Sequence, residues 1–244
     1  MDGIAFTVFE VDIKWYGILI ASAMALGIII SLKRAKSHDL EQDKIVDLAL
    51  VCLPVAMIGA RIWFVLFNWS SYGGDFMRII NFREGGLAIH GGLIFGIGTA
   101  AILCKAWKIP VWNVMDLVAP VIALGQAIGR WGNFFNQEAH GSVTSVPWAI
   151  EVNGEMVHPT FLYESVWCFL LFLFLLWVDR RRKFSGQIIL LYGMLYSVER
   201  FFVEQLRTDS LMVFGMKTAQ LVSLAAIVTC GVVYYYRSRR NQTE

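Results

Sequence analysis

Charge is what this chain has least of. Asp, Glu, Lys and Arg make up 16% of its 244 residues and hydrophobic residues 57%, where a soluble domain carries roughly 25% and 45–50%. That shortage excludes a disordered chain and an ordinary soluble enzyme, and the mean hydropathy of +0.58 points the same way. A net charge of only +2 gives no reason to expect nucleic acid as a partner. The four cysteines, Cys52, Cys104, Cys168 and Cys230, fall in apolar runs, where a thiol behaves as a small core residue, so no disulfide framework is expected. His90, His140 and His158 lack paired ligand spacing and no cysteine accompanies them, so neither a metal nor another cofactor is expected. Also missing are a Ser-His-Asp arrangement, a Gly-Lys-Ser/Thr phosphate loop, an internal repeat and a low-complexity tract.

What fills the chain is apolar helix. Spanning a bilayer takes about 20 mostly apolar residues. Seven stretches qualify: 15–32, 45–67, 87–107, 111–128, 160–178, 187–205 and 218–236. The expected fold is an all-α polytopic membrane protein, one integral membrane domain over 1–244. The leader, 1–13, holds Asp2, Glu10 and Asp12 and no Lys or Arg, the reverse of a cleavable signal peptide. One set of loops carries thirteen Lys and Arg and the other five. By the positive-inside rule the N-terminus is extracytoplasmic and the C-terminus cytoplasmic. Two outer loops are long. An arm loop, 68–86, carries Trp69, Tyr72, Phe76 and Phe82, suited to the headgroup zone. An outer head, 131–159, places Asn153-Gly154 between short β-prone runs, the signature of a β-hairpin.

Ionisable residues inside a membrane are costly and default to functional candidates. Here they gather toward the outer helix ends: Arg61 after Gly59-Ala60, His90 before Gly91-Gly92, Arg130 at the close of the fourth stretch, Glu164 at the start of the fifth, and Glu199, Arg200, Glu204 and Arg207 closing the sixth. The spacing puts Arg200, Glu204 and Arg207 on one helix face. Bland readings stand beside these. The glycines allow close helix packing. Arg61 is equally a structural partner for Glu164 or Glu204, Asp116 is structural, and His140 is a loop residue at headgroup level. For the set as a whole, arginine's planar fork of donors suits a phosphate, at a depth where lipid headgroups sit. A transporter for an anion or lipid headgroup, or a non-catalytic lipid-binding subunit, would use the same residue type, but a transporter is expected to show broken helices in two repeated halves.

The order of short motifs is more specific. Trp15-Tyr16-Gly17, Gly59-Ala60-Arg61, Gly85-Gly86-x-x-x-His90-Gly91-Gly92-Leu93, Gly129-Arg130-x-Gly132-Asn133-Phe134-x-Asn136-x-Glu138-x-x-Gly141, His158-Pro159-x-x-Leu162-Tyr163-Glu164 and Arg200-x-x-x-Glu204-x-x-Arg207 follow one another along the chain, and Gln220 opens the last stretch. Together they resemble the bacterial prolipoprotein diacylglyceryl transferases over nearly the full length. The pattern departs at Arg207-Thr208-Asp209, which lacks the proline often found before that Asp, and at Ala219, where a glycine commonly precedes the Gln.

The resemblance implies transfer of diacylglyceryl from phosphatidylglycerol to the lipobox cysteine of a prolipoprotein signal peptide, at the outer face of the bacterial plasma (inner) membrane, with glycerol 1-phosphate leaving. On that reading Arg130 and Arg200 offset the leaving charge and His90 is the candidate base, with Tyr16 or a phosphate oxygen of the lipid as alternatives. Tyr16, Arg61, Asn133, Asn136, Glu138, Gly141, Glu204 and Arg207 are the further substrate-binding candidates. His158, Tyr163 and Glu164 are expected to support them from behind.

Overall fold

The structure is a computed structural model. It describes every residue except Met1, Asp2, Glu10, Phe82, Arg83, Glu84, Asp209, Ser210, Leu211, Phe214 and Glu244, and it gives the backbone alone for Val11, Gln242 and Thr243. Of the residues named above, Asp2, Glu10, Phe82 and Asp209 therefore lie outside the described ones, as do both chain ends. The fold is mostly helical, and among the described residues six helices are long and apolar enough to cross a membrane. They are α1 (Trp15–Ala35, continued by a 3-10 turn to His38), α2 (Gln42–Phe67), α5 (Ile89–Ala106), α6 (Val111–Phe135), α7 (Thr160–Asp179) and α9 (Thr218–Thr243). The expected stretch 187–205 forms helix α8 (Gln187–Leu206), as long as α7, but Glu199, Arg200 and Glu204 keep it out of that set. Between α2 and α5 lie two short helices, α3 (Trp69–Tyr72) and α4 (Phe76–Ile80).

The chain divides into two compact units, Met1–Ser31 with Met115–Glu244, and Leu32–Val114. In the larger unit, Ala119, Ala123 and Leu124 of α6 meet Leu171, Phe172 and Leu175 of α7 and Ile188 of α8, with Ile30 of α1 against them. Two alanines in register let α6 come close, which is how membrane helices gain packing where lipid offers no hydrophobic drive. Glycine does the same twice more. A Cβ on Gly27 would lie 2.6 Å from Val121 Cγ1, and one on Gly193 2.7 Å from Cys230 Sγ.

Asp116, buried in α6, accepts hydrogen bonds from the backbone N–H groups of Gly186 (2.7 Å), Ile188 (2.9 Å) and Ile189 (3.0 Å). It therefore caps the start of α8, whose first N–H groups have no partner within their own helix. At the other end, Lys217 Nζ donates to the carbonyls of Glu204 (2.7 Å) and Arg207 (2.6 Å), a cation at a helix C-terminus.

Three small antiparallel pairs complete this unit. Strands β3 (Ile150–Val152) and β4 (Glu155–Val157) form the expected hairpin, with Asn153 (φ 52°) and Gly154 (φ 84°) both left-handed at the turn. Ser142, in the loop between α6 and the hairpin, donates its N–H to the Leu206 carbonyl (2.7 Å), so the loop is tied to the end of α8. Strands β1 (Ile4–Val8) and β2 (Val11–Lys14) pair ahead of α1, and β5 (Met212–Val213) pairs with β6 (Met216–Lys217) ahead of α9.

In the smaller unit α2 and α5 lie against each other through glycine. Gly91 sits on the Gly59 carbonyl and the Trp63 side chain, and Gly59 on the Phe95 ring, with no room for a Cβ at either position. Ala88 donates its N–H to the Ala60 carbonyl (3.0 Å), fixing the start of α5 beside Arg61.

Candidate functional site

Glu164, one turn into α7 and 1% exposed, is the centre of a charged cluster in the larger unit. Arg130 of α6 pairs with its Oε2 through Nη2. Arg200 of α8 meets its Oε1 at 3.1 Å and Arg207 the same oxygen at 3.8 Å. Arg200 uses its other terminal nitrogen on Glu204 Oε2 at 2.5 Å, the i,i+4 pair foreseen from spacing. The sequence reading placed Glu164 behind the site; the structure puts it in direct contact with three arginines. Three guanidiniums held round one buried carboxylate repel one another, and Glu164 and Glu204 offset that repulsion where water cannot.

Two features leave the cluster open to an anion. The side chains of Arg130 and Arg200 keep 20% and 21% of their surface accessible. Arg130 also has five N–H donors, and only Glu164 takes any of them among the described residues. Since α6 runs on to Phe135, Arg130 and Asn133 lie on its last two turns rather than in a loop. One turn further out, Asn133, Phe134, Gln137, Glu138, His140, Ile150, Glu151, Val152 and Phe161 line a cleft of about 230 Å³. Asn136 reaches Glu138 at 3.2 Å. The rings of Phe134 and Phe161 pack with their centroids 4.9 Å apart and planes tilted by 32°, one turn from Arg130 and Glu164 along their own helices.

Tyr16 packs its ring on Gly132, where any Cβ would collide with it, and its hydroxyl has no hydrogen-bond partner among the described residues. Gly141 is a packing residue: a Cβ there would lie 2.7 Å from His158 Cβ. His158 Nδ1 and Tyr163 Oη are 3.2 Å apart, and Trp148 donates to the same hydroxyl at 2.7 Å.

His90 and Arg61 belong to the smaller unit. His90, in the first turn of α5, is exposed and has no hydrogen-bond partner among the described residues. Arg61 is 3% exposed. Its guanidinium donates to the carbonyls of Arg78 (2.6 Å), Ile79 (2.9 Å), Gly85 and Gly86 (3.1 Å), and the Tyr72 ring covers it at 5.1 Å. Carbonyls of the arm loop thus take the place of the carboxylate partner considered from sequence. Arg61→Lys offers three donors from a point in place of a five-donor fork and leaves buried carbonyls unmet, each costing about 1–3 kcal/mol. A lower thermal midpoint in detergent is expected, with faster amide exchange in α4 and a milder effect on turnover than lysine at Arg130. An unchanged midpoint would mean that the loop is held by something else.

The sequence names Glu199 among the charges closing the sixth stretch but gives it no role in the site. It is 5% exposed, and neither carboxylate oxygen has a hydrogen-bond partner among the described residues. Its signal was a further charge inside the apolar stretch 187–205, off the face shared by Arg200, Glu204 and Arg207.

These features define a multi-pass membrane protein whose polar core is an arginine–carboxylate cluster with donors to spare for an anion. Comparison with known proteins narrows the class. The chain matches the prolipoprotein diacylglyceryl transferase family over residues 3–236, and it belongs to that family. It is 48% identical over 242 residues to the phosphatidylglycerol–prolipoprotein diacylglyceryl transferase of Clostridioides difficile (strain 630), covering 99% of this chain and 98% of that one. The proteins of the same name from Finegoldia magna and Clostridium novyi are 46% and 41% identical, each across 98% of this chain and 97% and 96% of their own.

Proposed function

We propose that this chain transfers the diacylglyceryl group of phosphatidylglycerol to the thiol of the lipobox cysteine of prolipoproteins, releasing glycerol 1-phosphate. This is the first step of bacterial lipoprotein maturation. The observation that carries the reading is Arg130, anchored by Glu164 on one side and with its remaining donors unmet among the described residues. In the reaction a thiol sulfur bonds to an sp³ glycerol carbon, the C–O bond breaks, and its electron pair leaves on a phosphate oxygen. Preset guanidinium donors in a low-dielectric site stabilise that developing charge. Arg130 and Arg200 are the clamp, Arg207 adds positive potential, and Glu164 and Glu204 hold the guanidiniums in place. Asn133, Asn136 and Glu138 orient the glycerol head in the cleft above them, and Tyr16 donates to a phosphate oxygen. His90 takes the thiol proton. The site carries no metal or cofactor in this reading.

The test is purified protein with phosphatidylglycerol and a lipobox peptide in detergent. A thioether product is expected. A transporter would form none, having no chemistry to do and no gradient to dissipate.

The reading includes topology: seven spans with α8 among them, the N-terminus and the 131–159 head outside, the C-terminus inside, in the bacterial plasma membrane. The thirteen-to-five charge asymmetry supports it. In a cysteine-free background, Ser142→Cys should react with an impermeant thiol reagent in intact cells and Ser238→Cys should not. Labelling of Ser238→Cys from outside would invert the orientation.

A further inference from the structure

Glu164 and Glu204 are each fixed by arginines, whereas Glu199 has no hydrogen-bond or ion-pair partner among the described residues. It is nevertheless inside the same electrostatic neighbourhood. Arg130 of α6, Glu164 and Cys168 of α7, and Tyr196 and Arg200 of α8 itself all lie within electrostatic range of it. From α9 the uncharged Gln220 donates to the carbonyl of Phe201, two residues along α8 from Glu199, at 3.3 Å. A carboxyl buried without a donor is costly, and in a membrane helix it marks a function by default.

The chemistry of the site supplies one. The cluster receives a phosphodiester, which carries one negative charge, and must release a phosphomonoester, which carries close to two at neutral pH. Three arginines facing Glu164 and Glu204 leave one net positive charge, and the state of Glu199 decides whether that charge stands. An anion brought next to a carboxyl favours its neutral form, and the group free to respond is the one that no arginine holds.

We propose that Glu199 is the proton-exchanging carboxyl of this cluster: it takes a proton from solvent as the phosphate headgroup enters and returns it as the product leaves. The inference rests on the phosphate grip proposed above. Glu199 is a positioning residue here, acting on the charge of the arginines and not on the reacting atoms. In the chemical step the thiol proton still goes to the base and the electron pair to the phosphate oxygen.

The test is calorimetry of the full-length protein in detergent at neutral pH. The ligand is glycerophosphoglycerol, the headgroup diester without acyl chains, whose own phosphate does not titrate there. Binding heats are compared in two buffers of different ionisation enthalpy. The wild type is expected to take up a substantial part of one proton per ligand, and E199Q to bind the ligand with that uptake lost. Equal heats in both buffers for the wild type, or full uptake retained by E199Q, would overturn the proposal. Should E199Q not fold, the wild type decides alone: a protonated-carboxyl band should appear in the infrared difference spectrum on ligand addition, and its absence overturns the assignment. Failure of the diester to bind at all would overturn the phosphate grip, and this inference with it. Binding without proton uptake overturns this inference alone.

Discussion

Arg130→Lys and Arg200→Lys, made separately, are each expected to lower turnover about 10²–10³-fold, the range seen when one preset donor to a developing oxyanion is removed. Lysine keeps the charge, so the ion pair with Glu164 survives in some form and the helices stay packed. What it loses is the fork. Arg200 now serves Glu164 with one nitrogen and Glu204 with the other, and an ammonium cannot span both while still facing a phosphate. Because the lost interaction strengthens as charge develops, turnover should fall by more than the apparent Michaelis constant rises. Thioether formation at saturating and limiting phosphatidylglycerol separates the two. Near-wild-type turnover in both lysine variants would remove the clamp from the mechanism.

His90→Gln should cost about 10²–10⁴-fold at neutral pH, the usual contribution of a general base. Glutamine retains a hydrogen-bonding amide but accepts no useful proton, so a structural histidine would tolerate it better than alanine, and a base would fail with both. The exposed ring makes no hydrogen bond among the described residues for glutamine to preserve. The pH–rate profile decides. Activity of the variant should recover as pH approaches about 8.5, where an unperturbed thiol ionises unaided. Full turnover of His90→Gln at neutral pH would move the base elsewhere, to Tyr16 or a lipid phosphate oxygen.

Local signals in the sequence were enough for the long helices and the head hairpin. Asn153-Gly154 announces its turn because few residue pairs accept two left-handed positions in succession. The Arg200, Glu204, Arg207 face follows from helix periodicity alone. Other features depend on partners far away in the chain. The four carbonyls round Arg61 belong to residues 17 to 25 positions further along the chain, and no spacing rule announces a backbone acceptor. Asp116 reads as an isolated acid toward one end of a span until Gly186, Ile188 and Ile189 are seen to turn their N–H groups on it. The hairpin ahead of α1 was hidden because its strands are short and Phe9, not glycine or asparagine, takes the left-handed position beside the turn (φ 47°).

The Asp116 cap has a consequence for how this chain can change. Asp116 and Arg130 are separated along α6 by about 21 Å, and Ile188 and Arg200 along α8 by about 18 Å. Asp116 joins the two helices at one end of those lengths and Glu164 at the other. They are two rulers clamped at both ends, so their graduations must agree. One residue inserted between the clamps on either helix would turn everything beyond it by about 100° and slide it 1.5 Å, and no relaxation at the far end could restore both clamps. Substitutions between them are free to accumulate on the lipid-facing side. A change in length on one helix alone would cost the protein either its cap or its arginine cluster.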